Sequence, residues 1–192
     1  VLFKNKPLMG IFILTIFFAT SYYTCYSYIE PFMKQITGMS DSLVTASLMA
    51  FGASGIAGSF AFSKFYNAHR FSFLTILLAI IAACIFLVLP AAFSIEVTFA
   101  VLALWGFAGT AFNVAMQDEI IKIAPQDGTA VAMSIFSGIF NFGIGTGAFI
   151  GGLVCTNLSL SYVGIVGGFI ALGTLAYWLL KLKGYMKAFY GC

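Results

Sequence analysis

The sequence predicts an all-α integral membrane protein, a bundle of six transmembrane helices with both termini in the cytoplasm. Three observations carry that prediction. Of 192 residues, 61% are apolar and only 8% are charged, against roughly 25% charged in a water-soluble domain. The apolar residues gather in six runs, each long enough to match the ~20 residues that cross a bilayer as a helix. Once those runs are threaded through a membrane, Lys and Arg fall almost wholly on one side, the strongest topological signal a sequence carries.

The runs cover residues 8–33, 43–66, 71–93, 97–121, 129–155 and 160–182, with joints at 38–42, 67–70, 94–96, 125–128 and 157–161. Joints this short make neighbouring helices antiparallel. Pro7 suits the first turn of the first helix, and Pro31 sits where that helix ends. With the N-terminus inside, Lys4, Lys6, Lys64, Arg70, Lys122, Lys181, Lys183 and Lys187 are cytoplasmic, eight of the nine Lys and Arg residues. Lys34 alone lies outside, in the company of Asp41 and Glu96. The chain opens on Val1 with neither an initiator Met nor a secretory signal. It is expected to be a piece of a longer polypeptide.

Several function classes are excluded by what the residues lack. Nucleic-acid binding needs a clustered basic face, and none is present. Cys25, Cys84, Cys155 and Cys192 have no metal-ligand spacing, and the first three lie inside apolar runs, so they read as small packing residues. No Walker lysine follows any glycine cluster. An intramembrane hydrolase needs a serine with a histidine base, or paired intramembrane aspartates. The one histidine, His69, falls in a loop, and Asp118 and Asp127 lie near the cytoplasmic surface. No catalytic residue, metal or cofactor is expected.

Polar atoms are costly in lipid, so their placement marks function. The first helix carries most of them, and Thr15, Ala19, Tyr22 and Tyr26 recur at helical spacing, overlapped by Tyr23 and Glu30. The fourth helix carries a second stripe of Trp105, Gly109, Asn113 and Gln117. Aromatic rings stack on the apolar faces of a neutral polyol while amides and hydroxyls bond its oxygens. Tyr22, Tyr23, Tyr26, Trp105, Asn113 and Gln117 are therefore the substrate-binding candidates. For Tyr28, and in part for Tyr26, the competing reading is the interfacial aromatic belt. For Asn113 and Gln117 it is hydrogen bonding between helices.

The second helix reads Gly52-x-x-Gly55-x-x-Gly58, and the fifth has Gly143, Gly147 and Gly151 four apart, with Gly138, Gly145 and Gly152 around them. Small residues at such spacing let backbones approach closely in a membrane, so both helices are read as tightly packed. The third and sixth have no charge within their cores, and the third has the composition of a lipid-facing helix. The order polar-lined, glycine-packed, bland occurs twice, so the six helices read as two three-helix units. Adjacent units with an odd number of spans have opposite topology, an inverted repeat typical of transporters.

Two stretches sharpen this reading. Tyr26-Ser27-Tyr28-Ile29-Glu30-Pro31-Phe32, and VAMSIFSGIFNFGIGTGA from Val131 to Ala148, resemble the C-terminal half of bacterial sugar efflux transporters. These are arabinose and thiogalactoside exporters of the drug:proton antiporter branch of the major facilitator superfamily. The resemblance extends over roughly residues 7 to 180. It implies one half of the major facilitator fold, with the first and fourth helices lining the cavity, the second and fifth forming the contact between halves, and the third and sixth outside. It also implies a companion N-terminal six-helix half outside this chain, and a place in the cell inner membrane. The family's loop between second and third helices usually reads Gly-x-Leu-Ala-Asp-Arg-x-Gly-Arg. Here residues 63–70 carry Asn67 where the Asp would stand, so that loop's carboxylate gate is not assigned to this chain. His69 reads as a solvated loop residue, with a proton relay as the competing role.

Coupling to a proton gradient needs a carboxylate that changes protonation at low dielectric. Glu30 stands about 22 residues into the first helix, roughly 33 Å along it, near the external mouth, where it is a coupling or gate candidate. Asp118 and Glu119, beside Lys122 at the cytoplasmic end of the fourth helix, are candidates for gating salt bridges. The expected function is export of sugars or related small solutes by proton-coupled antiport. The same fold also supports multidrug efflux, and a non-transporting membrane scaffold is the reading from a different class.

Overall fold

The computed structural model describes residues 5–191, all in helices and the short turns between them. Lys4 and Cys192, used in the charge and cysteine readings above, lie outside the described residues. Five helical stretches are long and apolar enough to cross a membrane: Lys6–Gln35, Asp41–Ala91, Ile95–Ile123, Gln126–Asn157 and Leu160–Tyr190.

The first begins as α1, Lys6–Tyr26, with the Asn5 side chain accepting from Leu8 N and Pro7 in the first turn, where its missing N–H costs nothing. The chain breaks at Ser27 and Tyr28 and resumes as α2, Ile29–Gln35, with Pro31 in its first turn. The proline thus opens a second short helix instead of closing the first. Gly38, at φ 72°, makes the following turn. α3, Asp41–Ala91, then runs 51 residues, about 77 Å at 1.5 Å per residue, more than twice a bilayer's hydrocarbon thickness. It is not straight: His69 has φ −138° and ψ 40°, outside the helical region.

α4 covers Ile95–Ile123, capped by the Ser94 hydroxyl on Val97 N. A 3₁₀ turn at Gln126–Gly128 leads into α5, Thr129–Asn157. α6, Val163–Tyr177, passes through a π-helical turn at Trp178–Leu182 into α7, Lys183–Tyr190, which Gly191 ends in the left-handed conformation.

Close helix approaches set the directions. Gly106 lies against the Phe51 carbonyl and the Tyr66 hydroxyl bonds Glu119, so the 41–68 limb of α3 runs parallel to α4. Gly164 faces the Ile85 carbonyl, and Trp178 donates from Nε1 to Thr75 Oγ1 at 2.9 Å, so the 70–91 limb runs antiparallel to α6. Gly167 meets Ser21 and Gly10 meets Leu182, which sets α6 antiparallel to α1. Ring contacts of Tyr22 with Trp105 and of Phe18 with Phe112 set α4 antiparallel to α1 as well. The two limbs of α3 therefore point in opposite directions, and the bend at His69 is a hairpin. The sequence separates 43–66 from 71–93 with a loop. In the structure that joint is so short that only His69 leaves the helical region.

α5 lies parallel to α1, and the register rests on glycine. A Cβ on Gly147 would stand 2.6 Å from the Thr20 carbonyl, and one on Gly151 would stand 2.5 Å from that of Thr24, so neither position has room for a side chain. Gly143 is equally close to Ala19. Gly52, Gly138 and Gly145 have nothing within 4 Å, so the glycine reading for Gly52 is not met inside this chain. The 70–91 limb keeps an outward apolar face, with Ile76 and Leu87 exposed, and buries the opposite one. Leu74, Leu77, Leu78, Ile81 and Ile85 are buried, because Gly164, Gly167 and Gly168 of α6 let that limb and α1 come close.

Candidate functional site

An open cavity of about 350 Å³ lies between α1, the 41–68 limb, α4 and α5. Its α1 wall is Phe18, Tyr22, Tyr23 and Tyr26, spaced so that one helical face presents them together. Phe51, Phe140, Thr110 and Asn113 complete it. Tyr26 stacks on Phe51 with ring centroids 5.0 Å apart and planes at 28°. Tyr23 stands edge-on to Tyr26 at 5.8 Å and to Phe140 at 6.2 Å. These are geometries in which ring quadrupoles attract. Tyr22 is nearly buried, and its ring occupies the space a Cβ on Gly109 would need, with the hydroxyl 2.7 Å from that position. The glycine in the α4 stripe is a seat for a tyrosine.

Asn113 also lines a second cavity of about 190 Å³ with Gln117, Phe136, Ser137, Phe140 and Asn141. Because Asn113 and Phe140 belong to both, the two spaces adjoin. Gln117 Nε2 donates to Asn113 Oδ1 at 2.5 Å, and neither amide has another partner among the described residues. The Asn113 NH₂ and the Gln117 carbonyl are thus left for whatever fills the space. No Asp, Glu, Lys, Arg or His lines either cavity.

Of the six binding candidates, Tyr22, Tyr23, Tyr26 and Asn113 share the larger cavity, and Gln117 lines the smaller one. Trp105 lines neither, which corrects its place in the substrate-contacting stripe. It is fully buried, stands 4.9 Å behind Tyr22, and meets Tyr26 and Phe51 edge-on. The reason is helix geometry. A side chain four residues along is rotated by about 40°, so a stripe from 105 to 117 drifts by about 120°, and its two ends face different neighbours. Tyr28 donates its hydroxyl to the Ala148 carbonyl at 2.9 Å, joining α5 to the chain just beyond α1.

The ionisable candidates lie at the two ends. Glu30, 57% exposed, pairs with Lys34 at 3.0 Å, and Lys34 reaches Asp41 at the same distance. At the opposite end Asp118 pairs with Lys122 at 2.5 Å. Glu119, expected beside the same lysine, points the other way. It is fully buried and takes Arg70 Nε at 3.1 Å, the Tyr190 hydroxyl at 2.8 Å and the Tyr66 hydroxyl. One residue along a helix is a 100° rotation, enough to send adjacent carboxylates to opposite sides. His69, exposed at the hairpin, adjoins this cluster through Arg70.

Tyr66, Arg70 and Tyr190 were not singled out by sequence as a site; the four-residue step from Tyr66 to Arg70 is the only local signal, and Tyr190 is 71 residues from its partner Glu119. Phe18, Phe51 and Phe140 were hidden among 22 phenylalanines. The Major Facilitator Superfamily model matches residues 11–188, which takes in both cavities, the hairpin and Glu119. With long apolar helices enclosing an aromatic and amide cavity, and with that match over most of its length, this chain belongs to the Major Facilitator Superfamily, a family of membrane transporters and not of enzymes.

Proposed function

We propose that this chain is the C-terminal half of an exporter for sugars or related neutral solutes, working by proton-coupled antiport. The observation that carries the reading is the cavity itself. Tyr23, Tyr26 and Phe140 offer ring faces and edges to the apolar side of a polyol, and the unpaired ends of Asn113 and Gln117 offer one donor and one acceptor to its hydroxyls. A lining without charge favours a neutral solute over the lipophilic cations of multidrug efflux, which call for an acid in the site.

The reading counts six spans, with the two limbs of α3 as separate crossings, arranged as two inverted three-helix units. It is supported by the hairpin at His69 and by matching contacts: α1 lies parallel to α5 as the 41–68 limb lies parallel to α4. Both termini are assigned to the cytoplasm of an inner-membrane protein. Lys6, Arg70, Lys122, Lys183 and Lys187 gather at the end where Asn5 donates to the Ile123 carbonyl at 3.2 Å, as inward-facing ends do. The N-terminal half is placed against α5 and the 41–68 limb. Met49, Ile56, Phe60, Phe142 and Phe149 are each more than 60% exposed there, beside the open backbone at Gly52, Gly138 and Gly145. In this scheme Glu30 with Lys34 and Asp41 closes the external mouth, Asp118 and Glu119 close the cytoplasmic one, and the proton-coupling acid lies in the companion half or at Glu30.

The experiment is uptake into inverted membrane vesicles carrying the full-length gene product, under an imposed proton gradient, with a neutral pentose and a lipophilic cation compared. Gradient-driven movement of the pentose supports the proposal. Movement of the cation alone establishes multidrug efflux, and movement of neither leaves the scaffold reading.

A further inference from the structure

A second large space, of about 530 Å³, lies far from the substrate cavity, between the His69 hairpin and α7. Its lining is basic: His69, Arg70, Lys183 and Lys187, with Phe71 and Tyr190 as its aromatic members. Two features make this more than a scatter of surface lysines. First, the C-terminal helix is held in register. Leu182, Met186 and Tyr190 form one stripe, the first two fully buried and the third bonded to Glu119. Lys183 and Lys187, one position after each of the first two, are thereby turned together toward the hairpin. Second, the charge of the two lysines is uncompensated among the described residues, while that of Arg70 is met by Glu119. Glu119 occupies Arg70 through Nε, and Tyr190 lies 4.1 Å from its guanidinium carbon. Among the described residues, no carboxylate lies within salt-bridge distance of Lys183 or Lys187; the Lys183 amine reaches only Thr75 Oγ1 at 3.5 Å.

Two amines and the edge of a guanidinium converging on one space match the charge and acceptor count of a phosphate group, about −1.5 to −2 for a monoester. Basic pockets beside transmembrane helices on the cytoplasmic side suit anionic lipid headgroups, and a soluble phosphate presents the same oxygens. We propose that the cleft between the α3 hairpin and α7 is a binding site for a phosphate-bearing anion, held by Lys183, Lys187 and Arg70.

The test uses the full-length protein in phosphatidylcholine nanodiscs, with thermal unfolding followed as phosphatidylglycerol is titrated into the bilayer or inorganic phosphate into the buffer, each against sodium chloride at matched ionic strength. The site predicts a rise in Tm with at least one of the two phosphates beyond the chloride control. A rise with phosphatidylglycerol alone identifies a lipid headgroup, and one with inorganic phosphate identifies a soluble ligand. Lys183→Gln and Lys187→Gln should each raise the ligand concentration needed for a given Tm rise about fivefold, and the double variant roughly 25-fold, at about one charge contact apiece. Lys64→Gln, an exposed lysine outside the cleft, should leave it intact. Both lysines of the cleft lie on α7 away from its buried stripe, so the variants keep the fold. No Tm rise with either phosphate, or a rise that persists in the double variant, overturns the proposal.

Discussion

Glu119 is the one fully buried carboxylate among the described residues, and three donors from three different segments converge on it. Burying an ion is costly, and the cost is offset only when each of its lone pairs is matched. Here Arg70 supplies the charge and two tyrosines supply hydrogen bonds. Removing the carboxylate strands a guanidinium that is only 20% exposed. Glu119→Ala is expected to lower stability by about 3 kcal/mol, read as a drop in unfolding temperature in detergent. Adding Arg70→Met to Glu119→Ala should recover most of it, since no buried charge is then left alone. At this scale the sequence was partly legible. The four-residue spacing that put Tyr22 and Tyr26 on one face was readable, whereas the partner of Glu119 was not. That partner depends on where a hairpin and a C-terminal helix meet in space, and nothing local to residue 119 records it.

At the scale of elements, glycine decides which helices touch. Gly147 of α5 is so near the Thr20 carbonyl that any side chain must push the helices apart. Gly147→Leu is expected to cost about 1–3 kcal/mol, as overpacking does elsewhere, measured by thermal unfolding. Gly52→Leu should leave the fold of this chain unchanged, because nothing lies within 4 Å of that position. If the 41–68 limb docks a companion half, the same substitution should still abolish transport, which vesicle uptake would show. Helix positions were well marked in the sequence, since apolar runs of this length have few other uses. Their pairing was less so: the glycines of the second and fifth helices stood out by number, while Gly164, Gly167 and Gly168 of α6 passed unnoticed in a segment read as bland. Nor does a glycine repeat reveal whether its partner lies within the chain. Gly52 and Gly55 are three residues apart, and only the second is filled.

For the whole molecule, charge asymmetry and cavity location together define what transport requires: a fixed orientation and a site reachable from each side in turn. Orientation is checked with a membrane-impermeant maleimide on intact cells. Ser42→Cys, exposed near Lys34, should label from outside, and Gln126→Cys, exposed near Lys122, only after the cells are opened; the reverse pattern would invert the topology. Transport of a neutral solute by this chain depends on the cavity. The most direct test is export of a neutral sugar by Asn113→Ala and Gln117→Ala, beside the parent protein. Each variant removes one polar partner, worth ~1–3 kcal/mol when the site is closed to water, so apparent affinity for the sugar should fall roughly 5- to 150-fold while membrane levels hold. Unchanged affinity in both variants would contradict the assignment of this cavity to the substrate.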